Sequence, residues 1–169
     1  MKTGIQYDLV ASPLGTMLLV ASGDALTGIH FEGERYQPAI GADWRRTPDH
    51  LLLRAAQAQL DEYFAGRRTR FDLPLARIGT PFQRAVWTAI AAVPYGATIA
   101  YRELAARAGR PDSVRAAGTA TGRNPWTIVV PCHRIIGANG ALTGYAGGLE
   151  RKRALLALEA QHACWARAA

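Results

Sequence analysis

The strongest constraint on the fold is a helix-start signal in the middle of the chain, directly after Gly79. Thr80 can serve as the N-cap, and Pro81 suits the first helical position because proline has no amide hydrogen to satisfy. Gln83 can complete a capping box with Thr80. A chain of 169 residues is long enough for two small cores, so the glycine before this signal is the predicted domain boundary. The predicted domains are residues 1–79 and residues 80–169.

The first domain has the pattern of a small α/β unit. Three strand-like runs separated by turn residues are Ile5–Val10, Thr16–Ala21 and Leu26–Phe31. A helix fits Pro48–Phe64, and Arg70–Leu75 resembles a further short strand. Nothing in this domain indicates chemistry. Its carboxylates, Glu34 among them, are expected on solvated faces.

The second domain is mainly helical. After the helix that begins at Pro81, two shorter helices are predicted at Tyr101–Ala108 and Ser113–Gly122. The turn between them contains glycine and proline, which is typical of a helix-turn-helix. The second of these helices consists almost entirely of small residues, with Arg115 as its one long side chain. Small residues suit close approach to a narrow groove better than readout of base edges.

The net charge of +7 is concentrated in the second domain. Residues 1–79 carry nine basic and nine acidic residues, whereas residues 80–169 carry eleven basic and four acidic residues. This asymmetry favours a polyanionic partner for the second domain. No amphipathic basic helix with a broad aromatic face favours a lipid surface. Nucleic acid is therefore the predicted partner, and no membrane association is expected.

Other features favour a cytoplasmic protein without metal or disulfides. Met1–Asp8 lacks the apolar region of a signal peptide, and the chain has no apolar run of transmembrane length. Cys132 and Cys164 show no CxxC spacing, and the four histidines are scattered. Neither a disulfide framework nor a zinc site is indicated. We expect a reducing cytoplasm.

The segment that carries chemistry is Val130–Ile135, in which Cys132 is followed by His133 and Arg134. A thiol is a strong nucleophile only as thiolate, so a reactive cysteine needs a base or a positive charge nearby. The histidine and the arginine can supply both. The competing interpretation is that Cys132 is simply a small buried hydrophobic residue.

Several segments of the second domain together resemble the O6-alkylguanine-DNA alkyltransferases. The Pro-Cys-His-Arg signature at 131–134 is highly specific in this arrangement, and the resemblance covers the second domain closely and the first more loosely. The segments and residues that carry it are Tyr101, Arg115, 123–125, 131–136, 144–148 and Glu159. The fold that the resemblance implies is a ribonuclease-H-like α/β domain followed by a mainly helical domain with a helix-turn-helix.

The chemistry that the resemblance implies is direct transfer of an alkyl group from O6 of guanine in DNA to Cys132, without a cofactor or metal. O4-alkylthymine is a further expected substrate. The Tyr101 hydroxyl would serve the N3 side of the guanine, and the backbone N–H of Ala146 would serve O6. The carbonyls of Cys132 and Ile135 would accept hydrogen bonds from the exocyclic amine and so select guanine.

The resemblance also implies a relay that activates the cysteine. His133 would act as the base through a bridging water, because adjacent side chains need not face each other. Glu159 would hold His133 in the correct tautomer. Asn124 would brace the turns between the small-residue helix and the active-site strand. Taken alone, Glu159 and Asn124 are equally typical of a solvated helix glutamate and a turn asparagine.

The target base must leave the duplex before it can react. The resemblance implies that Arg115 fills the vacated space from the minor groove, while Tyr101 crowds the 3′ phosphate. Tyr145 would wall the pocket, and Ala146 and Gly147 would allow close approach of backbone to base. Arg134 completes the predicted substrate-binding set. We expect a monomer in solution, and cooperative assembly along double-stranded DNA stays open.

Two departures and two alternative functions remain. Ala146 stands where some relatives have serine, so it supplies no side-chain hydroxyl. Trp126 and Thr127 follow Asn124-Pro125 where some relatives have smaller residues or a second proline, so acceptance of bulky benzyl-type adducts is open. The chain has Cys132 where the non-repairing alkyltransferase-like proteins have tryptophan. The alternatives are a lesion-binding module without chemistry and a Cys-His hydrolase or acyltransferase. The hydrolase would leave the localised charge unexplained.

Overall fold

The computed structural model describes residues 4–168, with side chains described for residues 4–163. Met1–Thr3, part of the stretch examined for a signal peptide, and the Cys164 side chain lie outside the described residues. None of the helices in the described part of the chain combines the length and the hydropathy needed to span a bilayer.

The first half is built on a four-stranded sheet. The strands are β1 (Ile5–Val10), β2 (Met17–Ser22), β3 (Ala25–Phe31) and β4 (Arg45–Arg46), in the order β3-β2-β1-β4. The first three form an antiparallel meander, and β4 pairs with β1 in parallel. Helix α1 (Leu51–Phe64) packs on this sheet through a buried stripe at helical spacing: Leu53, Ala56, Leu60 and Tyr63.

Three expectations for this half need correction. Arg70–Leu75 is not a strand, because Pro74 has no amide hydrogen for a ladder and only Leu75 forms a bridge, to Leu26. Strand β4 was missed because two exposed arginines carry no apolar alternation. Helix α1 begins at Leu51 rather than at Pro48, since the amide of His50 closes a turn onto the carbonyl of Thr47.

The second half consists of four helices and a short two-stranded sheet. The helices are α2 (Pro81–Ala91), α3 (Tyr101–Arg107), α4 (Val114–Gly122) and α5 (Leu149–Ala168). The strands β5 (Ile99–Ala100) and β6 (Ile135–Ile136) are parallel. The expected capping box is present, since Thr80 Oγ1 accepts from the Gln83 amide and Gln83 Oε1 accepts from the Thr80 amide. Ser113 occupies the N-cap of α4 but makes no side-chain capping bond.

One hydrophobic core runs through both halves. It joins β-sheet residues such as Leu26 and Ile29 to Trp87 and Ile90 of α2. Trp126 connects the two directly, because its ring packs edge-on against Trp87 and its indole N–H donates to the carbonyl of Leu26. The predicted fold class, a mixed α/β first part followed by a mainly helical part with a helix-turn-helix, is confirmed.

Candidate active site

A tight loop between α4 and β6 presents Cys132. This segment forms no regular strand, since only isolated bridges occur there. Ile128 has a φ of 74°, a left-handed conformation that is rare for a β-branched residue and is held here by full burial. The loop leads into a single 3-10 turn, Cys132–Arg134, so that consecutive side chains point in different directions.

Asn124 braces this loop and contacts the sulfur. Its side-chain amide donates to the carbonyl of Val130 at 2.7 Å and to Cys132 Sγ at 3.2 Å. Its Oδ1 accepts from the Trp126 amide at 3.0 Å. A buried amide that donates to sulfur favours the thiolate, because it supplies a hydrogen bond to the charged form.

Cys132 nevertheless rests as a thiol. Burial raises the pKa of Cys132 from 9.0 to about 11, and the hydrogen bond from Asn124 only partly offsets that effect. This pKa already includes a smaller raising effect of the buried Glu34 carboxylate and a lowering effect of the Lys152 ammonium. The thiol therefore needs a base at the moment of reaction.

His133 is placed to be that base. The ring is fully buried, and its Nε2 lies 2.7 Å from Glu159 Oε1. Burial lowers the pKa of His133 below 6.5 despite this partner, so the ring is neutral near pH 7. Donation from Nε2 to the carboxylate leaves the lone pair on Nδ1, which is buried and has no hydrogen-bond partner among the described residues.

Glu159 is a fixed anion rather than a proton carrier. Burial alone would raise the pKa of Glu159, but hydrogen bonds from His133 and Arg134 lower it to about 2. Arg134 donates to both carboxylate oxygens, at 2.9 and 2.8 Å, and the Gly96 amide adds a longer contact at 3.3 Å. A carboxylate held in this way orients the histidine without accepting its proton.

Sequence reasoning missed one member of this network, Tyr63 of α1. Its hydroxyl donates to Glu159 Oε1 at 2.8 Å and lies 3.4 Å from His133 Nε2. Tyr63 is fully buried, and burial raises its pKa well above 10.0. The only sequence signal was its place on the apolar face of α1, which is equally typical of a core tyrosine.

Arg134 does not take the substrate-binding place expected of it. Its guanidinium is buried, is bound to Glu159, and donates through Nη1 to the carbonyl of Val93 at 2.7 Å. Arg134 does not line the pocket that contains Cys132, because the 3-10 turn directs its side chain elsewhere. Its position is that of a clamp on the relay carboxylate.

On its other side, Cys132 opens into a pocket of about 680 Å³. The helix α4 forms one wall with its small residues, and four residues named in the sequence analysis border the same space: Tyr101, Arg115, Tyr145 and Ala146. The remaining wall residues are Arg35, Tyr36, Val114, Gly118, Thr119, Thr121, Gly122 and Gly144. Arg35 and Tyr36 come from the first half of the chain and were not anticipated.

Two further expected residues lie beside this pocket. A Cβ on Gly147 would meet the Tyr145 ring at 2.9 Å, so glycine is required there for close packing. Ile135 is fully buried, and its carbonyl already accepts a hydrogen bond from Lys152 Nζ at 2.6 Å. Lys152, another residue that sequence reasoning missed, also binds the carbonyl of Gly144 at 3.2 Å and so ties the loop of the pocket to β6.

The hydroxyls of the two pocket tyrosines differ. Tyr101 donates to the carbonyl of Thr143 at 3.2 Å, whereas Tyr145 Oη is buried without a hydrogen-bond partner among the described residues. Burial raises the pKa of both phenols, so each is a donor at neutral pH. Within residues 4–163, no group of three or more His, Cys, Asp or Glu side chains could hold a metal ion.

Comparison with known proteins connects this geometry to one family. Residues 5–77 match the family described as 6-O-methylguanine DNA methyltransferase, ribonuclease-like domain, and residues 81–161 match the corresponding DNA binding domain. The methylated-DNA–protein-cysteine methyltransferase of Mycobacterium tuberculosis is 46% identical over 159 residues, covering 94% of each chain. That of Methanosarcina barkeri is 44% identical over 153 residues, covering 90% of this chain and 96% of its own.

Solved structures agree with the sequence relatives. The crystal structure of Mycobacterium tuberculosis O6-methylguanine methyltransferase superposes with a TM-score of 0.85 at 44% identity, covering 94% of both chains. A structure of the protein OGT from the same species in complex with DNA gives a TM-score of 0.86 at 43% identity, covering 93% of this chain and 94% of that one. The chain belongs to the methylated-DNA–protein-cysteine methyltransferase family.

Proposed function

We propose that this chain repairs DNA by moving an alkyl group from O6 of a flipped guanine to Sγ of Cys132, once per protein molecule. The proposal is carried by two observations: Cys132 lines an open pocket, and the next residue, His133, has a buried Nδ1 without a hydrogen-bond partner among the described residues. The thiol thereby has space for a guanine beside it and a candidate proton acceptor in the adjacent residue. The family relatives and the DNA complex of a close structural neighbour support the same activity.

Transfer of the thiol proton accompanies attack of Cys132 Sγ on the alkyl carbon. The thiol proton passes to His133 Nδ1, through a water where the two atoms do not touch, while Glu159 stabilises the imidazolium that forms. A bond forms between Sγ and the alkyl carbon, and the bond between that carbon and O6 breaks. The guanine takes up one proton from water and the imidazolium of His133 then returns the thiol proton to water, so charge and atoms balance, and no cofactor is required.

The leaving guanine needs hydrogen bonds as its negative charge develops. Tyr101 borders the pocket and remains protonated, but its hydroxyl must leave the carbonyl of Thr143 to reach the base. The amide of Ala146 donates no hydrogen bond to another described residue, which leaves it available for O6. The carbonyl of Ile135 has one lone pair in use by Lys152 and one left for the exocyclic amine of guanine.

DNA is engaged through α4. Its small residues allow the helix to approach a minor groove closely, and exposed Arg115 can occupy the space that the flipped base vacates. We further infer a boundary at Gly79 between domains 1–79 and 80–169, a monomer in solution and a cytoplasmic location. The last inference rests on the absence of a cysteine framework from the sequence.

Peptide mass spectrometry after incubation with duplex DNA containing O6-methylguanine tests this proposal. The peptide containing Cys132 should gain the mass of one CH2 group, and the Cys132→Ser protein should gain none while still binding DNA. An unchanged mass with retained lesion binding would instead support a lesion-binding module. Repeated hydrolysis of a small ester without modification of the protein would support a hydrolase.

A further inference from the structure

Three arginines lie at the mouth of the pocket that contains Cys132: Arg35 and Arg115 line the pocket, and Arg123 contacts the lining residue Tyr36. Arg115 projects from α4 and Arg123 follows its last turn, whereas Arg35 comes from the segment after β3 in the first domain. All three are exposed, and none forms an ion pair with a described acidic side chain. Unpaired guanidinium groups at the rim of a site indicate an anionic ligand.

Tyr36 holds two of these arginines in place. The guanidinium carbon of Arg35 lies 5.3 Å from the centre of the Tyr36 ring, and that of Arg123 lies 4.7 Å from it. Tyr36 is 37% exposed, and its ring packs beside Gly122. A Cβ added to that glycine would lie 3.8 Å from the ring. An aromatic face that contacts two cations reduces their freedom without neutralising them.

The backbone that carries Arg35 and Tyr36 is anchored to the active-site loop. The amide of Arg35 donates to the carbonyl of Ala146 at 3.0 Å. The preceding residue, Glu34, is buried instead of solvated as expected, and its carboxylate binds His30 Nδ1 at 2.6 Å and the Thr127 hydroxyl at 3.1 Å. The segment is therefore fixed relative to both domains, as a preorganised binding site requires.

We propose that Arg35, Tyr36 and Arg123, here called the rim cluster, bind a backbone phosphate of the DNA strand that carries the flipped nucleotide. The inference rests on the proposed function and extends the DNA-binding surface to the first domain, whose formal charge is zero. A phosphodiester suits this cluster because planar guanidinium groups bind phosphate oxygens in a bidentate manner.

The position of the cluster favours phosphate over the alkyl substituent. Arg35 and Arg123 are exposed at the mouth, whereas the alkyl carbon must lie against Sγ of Cys132, which is buried. The nucleotide that enters the pocket remains joined to its strand, so a phosphate necessarily passes the mouth. Two unpaired cations at that point would stabilise the strand in its distorted path.

The salt dependence of binding to duplex DNA containing O6-methylguanine, measured in a Cys132→Ser background so that no transfer occurs, tests the rim cluster. Each lost phosphate contact reduces the slope of log K against log salt by about one. Arg35→Gln should therefore lower the magnitude of the slope by about one, and Tyr36→Ala should weaken binding more than Tyr36→Phe, which keeps the ring. Arg54→Gln removes the same charge from an exposed site on α1 outside the pocket and should leave the slope unchanged.

The second measurement is the rate of alkyl transfer from free O6-alkylguanine base, which has no phosphate. Arg35→Gln should lose clearly more rate on duplex substrate than on the free base. Equal losses on both substrates, or a salt slope like that of wild type, would overturn the rim cluster. Wild-type transfer to Cys132 is measured in the same series: if it is absent, the proposed function fails, and if it is present, only the phosphate contact is in question.

Discussion

The two sides of Cys132 are organised in opposite ways. On the inner side, Tyr63, His133, Arg134 and Glu159 are buried, and almost every polar atom has a partner. On the outer side, Tyr36 and the three arginines of the pocket mouth are exposed, and no described acidic residue pairs with the arginines. The inner side fixes charges in place, whereas the outer side keeps donors free for a ligand.

This difference separates chemistry from substrate capture. Preorganised, buried charges lower the cost of proton transfer because they need no rearrangement during the reaction. Free cations at an open mouth gain their partners only when DNA arrives. Substitutions on the inner side should therefore affect free base and duplex alike, while substitutions on the outer side should affect duplex most. Each prediction below can break or sharpen that division.

Glu159→Gln should have the largest effect, on stability as well as rate. The substitution leaves the guanidinium of Arg134 buried without its counter-ion, a change of about 3 kcal/mol or more. Because the pKa of Glu159 is lowered from 4.5 to about 2, its contribution is fully present above pH 4.5 and is lost as the pH falls through 2. Because the pKa of His133 is also lowered in the folded protein, the free energy of unfolding falls further as the pH drops below 6.5.

Urea unfolding of wild type and Glu159→Gln at a series of pH values measures this effect. The difference in unfolding free energy should be greatest at neutral pH and should narrow between pH 4.5 and pH 2. A difference that does not depend on pH would contradict the assignment of Glu159 as a buried anion.

His133→Phe should slow transfer by about a hundredfold, since general base catalysis commonly contributes that much. The loss should be similar on duplex and on free base. In wild type the rate should fall at acidic pH, where protonated His133 cannot accept a proton. In the variant the rate should keep rising toward the thiol pKa of about 11. Superimposable pH–rate profiles for the two proteins would remove His133 from the mechanism.

Arg115→Ala should reduce repair of duplex DNA by about tenfold, because flipping costs a few kcal/mol and the arginine offsets part of it. Reaction with free base should change little, and the duplex effect should shrink when the lesion lies opposite a mismatched base. Rates of transfer from the paired duplex, the mismatched duplex and the free base test whether Arg115 acts in base flipping. Equal losses on all of them would make Arg115 a structural residue and would break the proposed division.

Tyr63→Phe should have the smallest effect, a loss of about fivefold that corresponds to one hydrogen bond of about 1 kcal/mol. The loss should be the same on duplex and free base, and the acidic limb of the pH–rate profile should shift, because Glu159 loses a donor that competes with His133. A loss confined to duplex DNA would place Tyr63 functionally on the outer side.

Features with local causes could be predicted from the sequence. The capping box at Thr80 and Gln83 and the turn between α3 and α4 depend on neighbouring residues, so they formed as expected. The Cys132 segment was recognisable because its residue order is specific. The strand predicted at Arg70–Leu75 did not form, because Pro74 cannot donate a ladder hydrogen bond despite the apolar alternation around it.

The remaining site features depend on contacts between distant segments. Tyr63 and Glu159 are 96 residues apart, and nothing near Tyr63 in the sequence indicates a carboxylate partner. Arg134 was expected at the substrate because the orientation of a 3-10 turn cannot be read from residue order. Glu34 and Arg35 are adjacent, yet one is buried and the other exposed, so their roles follow from the path of the loop.

The stoichiometry of transfer tests the central claim most directly. With a large excess of O6-methylguanine duplex, each chain should accept one methyl group on Cys132 and then stop. A thioether carbon is a poor electrophile, and the described lining of the pocket contains no second cysteine and no histidine, lysine or carboxylate that could remove the group. Continued repair well beyond one equivalent, or methyl groups on another residue while Cys132 stays free, would contradict it.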